Sequence, residues 1–253
     1  MQVYRFIPWV MVLCLFYTYQ LAFSEEQSPN SHTDEETSMY HVPLQDGKHV
    51  RLAGILDPAW VVSHCDIRPG LKAWFQSHQK TYSAQTPDFP LDRHGTPWGL
   101  VFLEGNQKML QEQLLEEGLV VAFPSGVAPD AYKKMLAAEA EARENRAGIW
   151  KKCPILTTTQ VVEGQPEAFY NSFLIVTGKV VSISRKKRYI YVNFNNDWRK
   201  DFTVQLSVSL LKDIPFPAIQ AWQGRDIRVR GWLEPFYGPM IRVADPAQVE
   251  ILE

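Results

Sequence analysis

The chain has 253 residues, 45% of them hydrophobic, enough to bury one large core or two small ones. Its formal net charge of −2 hides an asymmetry. Residues 25–159 carry 13 Lys/Arg against 18 Asp/Glu and residues 160–253 carry 12 against 10, which excludes a uniformly basic nucleic-acid coat and leaves only the C-terminal third suited to polyanion contact.

In chain order, residues 1–24 place Arg5 before an apolar run from Phe6 to Phe23, with Ala22 and Ser24 as small residues at −3 and −1 of a cleavage point. This pattern predicts a secretory signal peptide. An uncleaved anchor is the alternative, although the run is near the lower limit for spanning and contains Tyr17, Tyr19 and Gln20. The expected location is periplasmic or secreted, with no integral membrane domain after signal removal. Residues 25–38 are polar, acidic and free of aliphatic side chains, and are expected to form a disordered tether.

From Met39 the hydrophobic pattern begins. "YHVPLQDGKHVRLAGIL" alternates about Asp46-Gly47, a hairpin signal. "RPGLKAWFQSHQKTY" has helical spacing, with Leu71, Trp74, Phe75 and His78 on one face. "TPWGLVFLEGNQKMLQEQLLEEGL" predicts a strand, a turn at Gly105-Asn106 and a helix stopped by Gly118. "PDAYKKMLAAEAEARENRAGIW" predicts a helix opened by Pro129 and closed by Gly148. Residues 154–165 show no clear period and are expected to be a linker. Five strand-like runs follow in 166–253, with "IPFPAIQAWQG" as a helix between the third and fourth. That is the order of an OB barrel. Removing the leader leaves Cys65 and Cys153, an even pair that suggests a disulfide in an oxidising compartment. No cysteine or histidine spacing supports a zinc site.

Three ordered segments, "LQDGKHVRLAGILDPA", "DRHGTPWGLVFLEGNQKMLQEQLLEEGL" and "AEAEARENRAGIW", resemble the thermonuclease (staphylococcal nuclease-like) family over residues 42–150, within an expected domain of 39–153. The resemblance implies a calcium ion held by aspartates, a catalytic Glu and two arginines. Arg51 matches the first arginine. Leu56 stands where a metal-binding Asp is expected, Ala59 where the catalytic Glu is expected, and Thr96 in place of the second arginine. Losing a general base costs about 10²–10⁴ in rate and losing one charge-stabilising donor about 10²–10³, so the domain is expected to be inactive, with no metal and no cofactor. The alternative is a divergent secreted phosphodiesterase using calcium, with Asp57, His64, Asp66, Asp92, Arg93 and His94 as replacement groups. In the plainer reading Asp92 and His94 serve the turn around Gly95, His64 and Asp66 cap the helix starting near Pro69, and Arg51 pairs with a carboxylate such as Asp57.

"GRDIRVRGWLEPFYGPMIRVADPAQVEIL" resembles the closing strands of bacterial OB-fold nucleic-acid-binding domains. Arg185, Lys186, Lys187 and Arg188 sit at the hairpin between the first two predicted strands, and Tyr189 and Tyr191 share one strand face after it. Charge that tracks a backbone beside rings that stack on bases is the chemistry of single-strand binding. Trp198, Trp232, Phe236 and Tyr237 are candidates to extend that face. A solvated turn and rings packed as core are the alternative, with a protein as the partner. The expected fold is mostly β with α (α+β): two tandem OB-type five-stranded barrels, the first with three helices.

Overall fold

The computed structural model describes residues 41–43, 49–56, 68–78, 82–85, 91, 95–103, 108–212 and 214–252. The expected leader and tether, Ala59 and Cys65 lie outside the described residues. Among those described, no helix is long and apolar enough to cross a membrane. The architecture is mixed α+β, with a curled β half-barrel and several helices.

The first part of the chain builds β1 (His41–Pro43), β2 (His49–Leu52), β3 (Ile55–Leu56), α1 (Arg68–Ser77), β4 (Tyr82–Gln85), β5 (Trp98–Leu103), α2 (Leu110–Glu116), β6 (Val121–Ala122) and α3 (Pro129–Glu144). The strands order β1-β2-β5-β4, with β2 and β5 parallel, and β3 pairs separately with β6. Alternation along β2 puts Val50 and Leu52 inside. Gly54 then turns the chain at φ +80°, where a Cβ would lie 2.5 Å from the Met135 sulfur. In α3, Tyr132, Met135, Ala138, Glu139 and Ala142 fall on one buried stripe. Gln111 of α2 is fully buried and ties the sheet together. It donates to Gly99 O (2.8 Å) and Ala53 O (3.3 Å) and accepts from Val101 N (3.2 Å).

Residues 154–165, expected as a linker, carry β7 (Leu156–Thr157) and α4 (Thr158–Glu163). Thr157 caps α4, accepting from Gln160 N at 3.1 Å, and Val161 is buried in the second core. There follow β8 (Phe173–Lys179), β9 (Ser182–Arg185), β10 (Tyr189–Asn193), β11 (Thr203–Ser207), α5 (Phe216–Gln220), β12 (Asp226–Pro235), β13 (Pro239–Val243) and β14 (Val249–Ile251). The pairing path is β7-β8-β12-β13-β11-β10-β9, with β14 also on β12. β8 and β9 belong to one bent run interrupted only at Val180 and Val181, so the sheet curls back toward its own start.

Strand periodicity explains how the two parts meet. Leu174 and Val176 of β8, with Ile227, Val229 and Leu233 of β12, point into the second core. Phe173 and Ile175 point the other way, into a third cluster shared with Val121, Ala142, Ile149, Trp150 and Cys153 of the first part. β8 is therefore apolar on both faces, which is why it reads as an unbroken hydrophobic run. On the outward face of β12, Arg230 is 0% exposed. It donates to Ala122 O (2.7 Å), to both carboxylate oxygens of Glu139 (3.2 and 2.9 Å) and to Glu250 (2.6 Å). Burial works to discharge this guanidinium. Glu139, Tyr132 and Glu250 outweigh it and hold its pKa above the ordinary arginine value.

Candidate functional site

At the first part's family positions, β2 places Arg51 beside Trp98 of β5, and its guanidinium carbon lies 4.3 Å from a Trp98 ring centroid. Arg51 N also donates to Pro97 O at 2.9 Å. Leu56 pairs with Val121 in β6 and packs, half-buried, against the cluster shared between the two parts. Thr96 is half-buried in the turn before β5. Asp57, Ala59, His64, Asp66, Asp92, Arg93 and His94 lie outside the described residues. Among the described residues, no group of three or more His, Cys, Asp or Glu is placed to hold a metal ion. Cys153 is buried at 5% exposure and is disulfide-bonded, with its partner outside the described residues.

The second site stands on β9, β10, β11 and β13. Arg185, Lys186, Lys187 and Arg188 are all exposed at the β9–β10 turn, which Lys186 N closes by donating to Tyr189 O at 2.8 Å. The Arg185 guanidinium lies 5.3 Å from the Phe216 ring centroid. Strand register then sets out a row across the sheet: Ser184 beside Tyr191, Tyr191 beside Gln205, Gln205 beside Arg242. Ile190 and Val192 fill the core beneath, while Tyr189 is 37% exposed and its ring centroid is 6.3 Å from that of Tyr191. Gln205 Nε2 donates to Tyr191 Oη at 3.3 Å and so fixes the phenol's position. Arg242 is exposed and pairs with Glu234 at 3.1 Å. The surface offers exposed cations at one end and the rings of Tyr189 and Tyr191 beside them, while Gln205, 3% exposed, supports Tyr191 rather than facing solvent.

Of the four further aromatics, Phe236 and Tyr237 stand exposed on the β12–β13 turn, their rings edge to face at 5.1 Å. Trp232 does not join this face. It turns to the opposite side and meets Phe173 edge to face at 5.8 Å, because residues 228, 230 and 232 of β12 share the side that docks on the first part. The Trp198 side chain lies outside the described residues. Sequence reasoning missed Gln205 and Arg242. Alternation places Gln205 on the outer side of its strand, but only the register of β11 against β10 and β13 brings it between Tyr191 and Arg242.

No curated protein matches the chain. One family model does match, and it suggests nuclease-type or nucleic-acid-binding function for the segment concerned. Residues 49–152, from the start of β2 to just past the turn that follows α3, are similar to the staphylococcal nuclease homologue family.

Proposed function

We propose that this is an exported nucleic-acid-binding protein in which the nuclease-like domain no longer cuts and a C-terminal OB-type barrel holds single strands. The observation that carries the reading is the exposed run Arg185, Lys186, Lys187, Arg188 leading directly into Tyr189 and Tyr191. Four adjacent cations suit a phosphate backbone, and two neighbouring phenol rings suit unstacked bases.

Taking β8 and β9 as one bent first strand, the pairings run first to second, second to third, third to fifth in parallel, fifth to fourth, and fourth back to first. This order supports reading the second part as an OB barrel. The first domain's β1, β2, β5 and β4 supply four positions of the same plan. Two features support inactivity. The residue at the expected metal-ligand position is Leu56, engaged in the packing between the domains, and Arg51 lies against Trp98. A carboxylate base, a metal ligand and the second arginine are all replaced. Loss of the metal alone removes several kcal/mol of transition-state stabilisation. The disulfide at Cys153 fits an oxidising compartment, and we assign Cys65 as its partner.

The experiment is to incubate the full-length mature chain with single- and double-stranded DNA and RNA, with and without calcium, recording binding and cleavage together. Binding of single strands without cleavage is the expected outcome. Calcium-dependent cleavage abolished by Arg51→Ala would establish the divergent phosphodiesterase instead.

A further inference from the structure

Between α4 and the loop joining β10 to β11 lies a cavity of about 310 Å³. That volume sits at the low end of small-molecule sites, which run from about 300 to 1,000 Å³. Thr159 and Glu163 line one wall, and Phe194, Asn195, Arg199 and Lys200 the other. Both walls are held by their own hydrogen bonds. Oδ1 of the buried Asp201 accepts from Phe194 N and Asn195 N, each at 2.8 Å, and Lys200 N donates to Asp197 O at 2.9 Å. On the facing side, the Thr157 cap fixes the first turn of α4, and Val161 anchors the helix in the core. A pocket stitched in this way needs little ordering when it binds.

The lining combines three chemistries that no single simple ligand uses together. Lys200 and Arg199, the latter also in a long, exposed ion pair with Asp197 at 3.9 Å, attract an anion. Glu163 repels one, and instead accepts hydrogen bonds from hydroxyl groups. Phe194, braced edge to face by Phe202 at 5.9 Å, gives an aromatic surface. Inorganic phosphate would gain nothing from the ring and would be disfavoured by Glu163, and an apolar ligand would gain nothing from the charged side chains of the lining. The geometry points to a nucleoside monophosphate site: phosphate on Arg199 and Lys200, a ribose hydroxyl donating to Glu163, and the base against Phe194. The site does not rest on the single-strand reading. Tyr189 begins β10 and Asn193 ends it, so the cavity lies at the far end of that strand from the basic turn, roughly 13 Å away at about 3.3 Å per residue.

The test is isothermal titration of the full-length chain with adenosine and cytidine 5′-monophosphate, the matching nucleosides, and inorganic phosphate. One nucleotide is expected per chain, with nucleoside and phosphate each weaker by at least about tenfold. Arg199→Ala combined with Lys200→Ala should weaken nucleotide binding by at least about tenfold, and Thr159→Trp, which fills the cavity without changing charge, should do the same. Thr159, Arg199 and Lys200 are exposed, so these variants should keep the wild-type melting temperature. Neutralising residues 185–188 should leave nucleotide affinity unchanged. The assignment is overturned if neither monophosphate binds, if phosphate alone binds as well as they do, if both cavity variants bind normally, or if the 185–188 variant is the one that loses binding.

Discussion

In an Arg230→Met variant, four hydrogen bonds disappear at once: one to Ala122 O, two to Glu139 and one to Glu250. Methionine follows much of the arginine stem, so the void is small and the loss is mainly electrostatic. Glu139 keeps Ala122 N at 2.9 Å and Arg143 at 2.6 Å, and Glu250 keeps Arg228 at 3.1 Å. Breaking a buried pair from one side costs about 3–5 kcal/mol, and these remaining partners place the cost near the lower end, about 3 kcal/mol. At about 2–4 °C per kcal/mol for a chain of this size, the melting temperature should fall by roughly 6–12 °C. Calorimetry and circular dichroism on the full-length chain at neutral pH would measure it. A double variant, Arg230→Met with Glu139→Leu, should be more stable than the sum of the two singles by at least about 1 kcal/mol, because each single strands the other's charge. A melting temperature within about 2 °C of wild type, or strict additivity, would refute the reasoning.

Neutralising Arg185, Lys186, Lys187 and Arg188 together should weaken single-strand binding to every sequence alike and flatten its salt dependence, as read by fluorescence anisotropy. Tyr189→Ala should cost about 1–3 kcal/mol of that binding without lowering the melting temperature. A fall in melting temperature with no change in binding would mark the ring as structural. Burial pushes the Asp201 carboxyl up to about 6, so the folded state holds its proton above the range where the unfolded chain releases it. Stability linked to this group is greatest below the ordinary Asp range and is lost as pH rises through about 6. Asp201→Asn keeps an oxygen for Phe194 N and Asn195 N, and its melting temperature relative to wild type should rise between pH 5 and pH 8 by an amount worth roughly 1–2 kcal/mol. Gly148→Ala puts a Cβ 2.2 Å from Gly118 O at φ +49°, whereas Gly95→Ala at φ +78° meets nothing within 4 Å. Urea titration should show a loss above about 2 kcal/mol for the former and about 1–2 kcal/mol, backbone strain alone, for the latter.

The elements with strong local signals were legible. Pro129 and Gly148 bracket α3 and the turn after it, and the alternation of Tyr189 to Val192 separates core from surface on β10. What was not legible depends on long-range partners. The 154–165 segment has no period because it is only a two-residue strand and a short capped helix, both ordered by the second core. Trp232 alternates correctly with Val229 and Leu233 as a strand residue, but nothing local says whether its outer face meets solvent or the first part of the chain. The unbroken apolar run Phe173 to Val176, and the charge at Arg230 amid apolar neighbours, were the signals of a second buried face. For the candidate site, the cations and tyrosines were visible as sequence neighbours. Gln205 and Arg242 required the strand register.

The Arg230 junction also bears on the order in which the molecule can be completed. Glu139 and Ala122 leave the ribosome 91 and 108 residues before the arginine that binds them, and Glu250 follows it by 20. Until β8 and β12 are made, Glu139 lacks its Arg230 partner and the apolar Val121, Ile149 and Trp150 lack Phe173, Ile175 and Trp232. These surfaces are therefore open to wrong partners until Phe173 and Ile175, and then Arg230, have left the ribosome. A stop codon placed before residue 226 should yield a protein that is captured by chaperones or degraded, because Arg230 and Trp232 are then missing from the junction.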